Sequence, residues 1–162
     1  MNVWKMVEVL IDDGVDMHGL PDEVAVASAA TLTCHMAGVA GDSPSLCVRF
    51  SDDAIVQQLN RQWREQDSKT DVLSFPMQDG PAFDPNEYLG DIILSTPFVY
   101  READRLGRDT VPHILHLIVH GTLHLLGFTH GGDEDTAVMQ TLERQVMHTL
   151  GLHDPYPESE AG

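Results

Sequence analysis

Residues His120-Gly121-Thr122-Leu123-His124-Leu125-Leu126-Gly127-Phe128-Thr129-His130 place three histidines within eleven positions. His120 and His124 are four apart, which sets them one turn from each other on one face of a helix. Gly127 is a residue that readily ends such a helix and turns the backbone, so that His130 can swing round to face the other two. Three imidazoles converging on one point form a base for a divalent metal. Zinc suits the donors best, with its fourth position open to water, as in catalytic rather than structural sites. The spacing therefore predicts one Zn2+ held by His120, His124 and His130. The competing reading is a helix whose buried or surface histidines hold no ion.

Two more histidines, His113 and His116, precede the run. His116, His120 and His124 form a stripe on one helix face, but successive turns are about 5.4 Å apart, too far to converge on one ion. His130 is thus the expected third ligand. His116 is left either a packed helix-face histidine or a residue that holds a carboxylate or a ligand in place. His18, His35, His148 and His153 have no context that favours a role.

The same spacing is that of metzincin proteases, except that those enzymes carry a glutamate base directly after the first histidine. Gly121 stands there in this chain and has no side chain with which to move a proton. Peptidase chemistry accordingly ranks below another metal-assisted hydrolysis. Met139 and Met147 fall at helical positions and are expected in the core rather than in a turn beneath the metal.

The surrounding pattern predicts an α+β fold of a single domain: a small mixed sheet of about four strands packed with several helices, the metal site at the end of a long central helix. Strands are expected over residues 3–11, 46–50, 71–76 and 89–95. Pro21-Asp-Glu opens an alanine-rich helix towards Gly38, with proline and acid in its first turn. Ser51-Asp-Asp starts a helix to about Gln66. Residues 77–87 form a loop by their glycine, proline and asparagine content. Thr96-Pro97 opens a helix to about Leu106, with Thr96 as its cap. Thr110-Val-Pro112 opens the long apolar helix that carries His120 and His124, and a last helix runs from about Asp133 to Leu150. The domain is expected over residues 1–153, with 154–162 a fraying tail.

Composition narrows the setting. The chain has 162 residues, enough to bury a core without staples. No run of about 18 apolar residues would span a membrane, and the first residues lack a secretory pattern. Cys34 and Cys47 are too few for a disulfide framework and are expected as small buried hydrophobes, which fits a cytoplasmic, reducing setting. The formal charge of −17, with only nine lysines and arginines, argues against a broad nucleic-acid surface but leaves room for a local basic cleft.

The histidine run resembles the signature of the YbeY family, bacterial single-strand-specific endoribonucleases that mature ribosomal RNA. That signature is His-Gly-x-Leu-His-Leu-x-Gly-x-Asp-His. A second block, Leu59-Asn60-Arg61-Gln62-Trp63-Arg64 through Thr70-Asp71-Val72-Leu73-Ser74-Phe75-Pro76, agrees with the same family, as does Leu89-Gly90-Asp91-Ile92-Ile93-Leu94-Ser95. One departure is Thr129, where the family usually has aspartate; all three histidines remain.

The resemblance implies a zinc-dependent endoribonuclease acting in rRNA maturation and ribosome quality control, with Arg64 and His120 as its catalytic residues. The implied partners are single-stranded RNA, in particular an rRNA precursor, and the small ribosomal subunit with its proteins or an assembly GTPase. Zinc lowers the pKa of a water it binds from about 15.7 to about 7, so a nucleophile is available without a glutamate base. The resemblance gives Arg64 the task of stabilising charge on the phosphate oxygens; spacing alone would leave it a solvated arginine on a helix face. Arg61 and Lys69 are weaker candidates for phosphate contact. Thr70, Asp71 and Ser74 are candidates for the cleft floor, Asp71 alternatively a loop brace. Asp91 is either structural or part of a partner surface. With few cations, RNA binding would lean on stacking against aromatics such as Trp63 or Phe128, unless both serve as core. The alternatives are a metallopeptidase-like hydrolase and a non-catalytic, zinc-stabilised assembly factor.

Overall fold

The carboxylate of Asp22 accepts a hydrogen bond from the Ala25 amide at 2.8 Å and so fixes where the first helix begins. In the computed structural model, which describes residues 7–39, 44–64 and 70–157, nine elements follow in order. They are β1 (Val7–Ile11), α1 (Glu23–Met36), β2 (Ser45–Ser51), α2 (Asp53–Arg64), β3 (Val72–Pro76), β4 (Tyr88–Ser95), α3 (Thr96–Leu106), α4 (Thr110–Leu125) and α5 (Asp133–Thr149). The fold is α+β, with a four-stranded mixed sheet in the order β1-β2-β4-β3. β1, β2 and β4 run parallel, and β3 joins β4 antiparallel at one edge.

Expected elements and observed ones agree in kind and differ at ends. The parts of the predicted elements at residues 3–6 and 65–66 lie outside the described residues, as does Lys69. Pro21 stands ahead of the cap of α1 rather than in its first turn, because Asp22 takes the cap. The cap of α3 is Ser95, not Thr96. β4 runs into α3 with no loop between them, so the last strand residue becomes the cap and Thr96 enters the helix.

Alternation along the strands builds two cores. Leu46, Val48 and Phe50 of β2, with Ile92 and Leu94 of β4, join the main cluster, which includes Val26 and Ala30 of α1 and Ile114, Ile118 and Leu123 of α4. Leu73 and Ile93 belong to a smaller cluster with Val56 of α2. α4 is buried along most of its length and packs on α1, α3, α5, β3 and β4, which makes it the central helix the pattern predicted. Met139 and Met147 are fully buried in the core, and Cys34 and Cys47 are buried free thiols. Burial pushes each thiol up to about 11. No helix among the described residues is long and apolar enough to cross a membrane.

Gly90 is needed in β4 for both conformation and space. Its φ is +142°, and a Cβ there would stand 2.3 Å from the carbonyl oxygen of Phe75. Of the expected tail over 154–162, residues 158–162 lie outside the described residues; within the rest, Pro155 is buried, and Tyr156 packs back on α5, where Arg144 lies over its ring.

Candidate metal centre

The end of α4 builds the site. Gly127, at φ +100°, closes the helix: its amide bonds the carbonyl of His124 at 3.0 Å, and the Phe128 amide bonds that of Leu123 at 3.0 Å. This is a Schellman ending, and it reverses the chain as the glycine predicted. The reversal brings the Phe128 carbonyl to 2.9 Å from His124 Nδ1 and carries His130 across from the helix face. The His120, His124 and His130 rings then lie with centroids 4.6, 5.0 and 4.9 Å apart. One nitrogen from each lies within 4.8 Å of the others, so this triad could hold a metal ion.

The hydrogen-bond partners decide which nitrogen faces inward. A carbonyl oxygen only accepts, so His124 Nδ1 must carry the proton it donates to Phe128. His120 Nδ1 likewise donates to the carboxylate of Glu143, at 3.2 Å. In the neutral rings both Nε2 atoms are then bare lone pairs, and they stand 3.0 Å apart. Two acceptors that close repel unless a cation lies against both. The donor set fits zinc: neutral imidazoles, with their outer nitrogens fixed by a carboxylate and a carbonyl. Burial is the largest cause that pushes the His124 imidazole down to about 4, which keeps it neutral at ordinary pH.

Glu143 comes from α5 and is completely buried. His116 Nε2 donates to its Oε1 at 2.6 Å, and the Tyr156 hydroxyl donates to the same oxygen at 2.7 Å. Burial opposes the charge on Glu143, but the hydrogen bonds from His116 and His120 outweigh it and hold the carboxyl down to about 2. His116 thus holds a carboxylate, one of the two readings open to it. Sequence reasoning missed Glu143 and Tyr156. The available signal was a glutamate on the apolar face of α5, among Met139, Val146 and Met147.

An open cleft of about 500 Å3 joins His120 and His124 of the triad to β3, with Arg64, Ser74 and Phe75 also among its walls. Arg64, the last residue of α2, donates from Nη2 to the Ser74 carbonyl, and its Cζ lies 5.6 Å from the Phe75 ring centre. Ser74 therefore takes part in the cleft floor. Asp71 instead braces a loop, its Oδ1 accepting from the Val72 amide at 2.8 Å. Asp91 accepts from the Tyr88 hydroxyl. Trp63 is 64% exposed beside Arg64, which overturns its reading as core, whereas Phe128 is half-buried against the main cluster. Thr129 lines the cleft where the signature has aspartate. A larger, mainly apolar groove of about 640 Å3 along α1 shares no wall residue with this cleft.

The family model described as Endoribonuclease YbeY matches residues 21–151. The chain belongs to that family. A relative named Endoribonuclease YbeY from Azorhizobium caulinodans is 38% identical over 154 residues, spanning 93% of this chain and 95% of that one. One of the same name from Rhizorhabdus wittichii is 41% identical over 169 residues, spanning 96% and 99%. A Thermotoga maritima protein solved in solution shares the fold, with a TM-score of 0.54 at 20% identity, over 94% of this chain and all of that one.

Proposed function

We propose that this chain is a zinc-dependent endoribonuclease that cuts single-stranded RNA in the cytoplasm, in rRNA maturation and ribosome quality control. The observation that carries the proposal is the cleft that Arg64 shares with His120 and His124, two members of the histidine triad. Membership of an endoribonuclease family supports the substrate class.

In this reading the Nε2 atoms of His120 and His124, with a ring nitrogen of His130, hold the ion. Bound zinc would supply a Lewis acid and an acidified water at neutral pH. The chain's own contribution is placement. Phe128 and Glu143 hold two rings with their lone pairs inward. Arg64 has five N–H donors in a planar fork, and its bond to the Ser74 carbonyl holds one nitrogen of that fork at the cleft wall. A phosphodiester lying between Arg64 and the triad would meet donors suited to the charge that builds on its non-bridging oxygens. Trp63 offers an exposed ring on which a neighbouring base can stack.

The test is cleavage of a single-stranded RNA by purified protein, with and without a chelator, beside His120→Ala prepared identically. Cleavage lost in both cases is expected. Full cleavage by metal-free His120→Ala would refute the proposal. Metal uptake without cleavage by the wild type would favour an assembly factor that holds RNA or a small-subunit protein.

A further inference from the structure

We infer that Tyr156 is a positioning residue for the metal centre, and that the segment after α5 works as a strap which sets how firmly His120 is held. The inference rests on the metal-centre reading and adds to it the dependence of ion affinity on a residue outside the histidine run.

Five contacts make the strap. The Tyr156 hydroxyl donates to Glu143 Oε1 at 2.7 Å. Arg144, the residue beside Glu143 on α5, grips the same segment from outside: its Nη2 donates to the Tyr156 carbonyl at 2.7 Å and its Nε to Asp154 Oδ1 at 3.3 Å. The guanidinium also lies over the Tyr156 ring, with Cζ 5.5 Å from its centre. Asp154 completes the turn by accepting from the Tyr156 amide at 2.8 Å. The segment is therefore built to deliver one hydroxyl to one buried carboxylate.

That carboxylate has two jobs on its two oxygens. Oε1 receives Tyr156 and His116, while Oε2 receives His120 Nδ1. The His120 bond is the longest of the three and the carboxylate has no solvent exposure. Its rotation is thus decided by what sits on Oε1. Tyr156 and His116 meet at that oxygen with rings 5.8 Å apart and nearly perpendicular, and their two short bonds to it hold the carboxylate in place. Removing the hydroxyl leaves Oε1 with one donor and frees the carboxylate to turn away from His120. His120 would then lose the acceptor that keeps its Nδ1 protonated and its Nε2 facing the ion.

Partners of this kind behind a metal-binding histidine change metal affinity by about 10- to 100-fold when removed. Glu143→Gln should fall in that range, and Tyr156→Phe should weaken zinc binding by several-fold, because His116 still holds the carboxylate. The experiment is zinc affinity by chelator competition on full-length wild type, Tyr156→Phe, Glu143→Gln and the double variant, with chelator-treated melting curves to verify folding. Arg144→Ala serves as a second probe that loosens the strap without touching Glu143.

The expected result is weaker zinc binding in Tyr156→Phe and Arg144→Ala, with no further loss when Tyr156→Phe is added to Glu143→Gln. Such non-additivity shows that the hydroxyl acts through that carboxylate. Equal affinity in wild type and Tyr156→Phe would overturn the strap while leaving the metal centre standing, as would full additivity in the double variant. A wild type that takes up no zinc would overturn the metal centre, and the strap with it.

Discussion

Gly121 and Ser74 touch where α4 crosses β3: a Cβ on Gly121 would stand 3.0 Å from the Ser74 hydroxyl, and equally close to the Ile92 Cγ2. The position that holds glutamate in metzincins thus points into the sheet in this chain. The helix can lie this close to β3 and β4 only without a side chain there, and that closeness sets the triad against the cleft wall that Ser74 and Phe75 provide.

Gly121→Glu should therefore fail as an attempt to install a protease base. It would push a carboxylate between Ile92 and Ser74 with no partner for its charge, a cost of at least about 2 kcal/mol. Denaturant melts should show that loss, and unstructured peptides should remain uncut. A stable variant that gained peptide cleavage would contradict the packing argument.

Arg64 is predicted to serve rate rather than ion binding. Arg64→Ala should keep zinc and lose RNA cleavage by roughly 10²- to 10³-fold, the usual cost of removing one charge-stabilising donor. Arg64→Lys should recover only part, since an ammonium cannot offer the planar fork. Single-turnover cleavage rates together with zinc content per chain separate the two effects.

The triad was legible because it is local: its three members fall within one helix turn and one glycine-ended reversal. The kinds and order of elements were legible from periodicity and punctuation for the same reason. Glu143 lies 23 residues from the ring it holds and reaches it only because α5 packs on α4. Such a partner is set by packing, and only its charge on an apolar helix face marks it in advance. Tyr156 was hidden by the composition of its neighbourhood, where prolines and acids suggest fraying although Arg144 ties the segment down.

Zinc should stabilise the folded chain by mass action, because the three imidazoles are gathered only in the native state. At zinc 100-fold above its dissociation constant the gain is about 2.7 kcal/mol. Melting temperature should rise with added zinc in the wild type and stay flat in His124→Ala. An equal rise in both would mean that the ion binds elsewhere.

Trp63 tests the contact with RNA. Its exposed ring stands one residue before Arg64 at the end of α2, and a stacked base is worth about 1–3 kcal/mol. Trp63→Ala should weaken binding of single-stranded RNA accordingly, with the melting temperature unchanged because little of the ring is buried. Fluorescence anisotropy of a labelled oligonucleotide reads the first effect and calorimetry the second. Unchanged RNA affinity would remove the ring from the binding surface.

Asp12 gives an acid-sensitive brace far from the metal centre. It follows β1 and receives Arg49 Nε at 2.9 Å, Arg49 Nη2 at 2.8 Å and the Ser51 hydroxyl at 2.6 Å, tying the end of β1 to β2. The hydrogen bond from Arg49 holds its carboxyl below the ordinary value. Because the folded state then binds the proton more weakly than the unfolded state, the brace stabilises above the ordinary carboxylate pKa of about 3.9 and fades as pH falls through the lowered folded value. The pair is partly exposed, with side chains 35% and 26% accessible, so its worth is nearer about 1 kcal/mol than that of a buried pair. Asp12→Asn should cost that amount at pH 7, and the difference from wild type should shrink steadily below about pH 4. Denaturant melts at a series of pH values measure it, and a gap that stayed constant down to pH 2 would mean that the carboxylate charge contributes nothing.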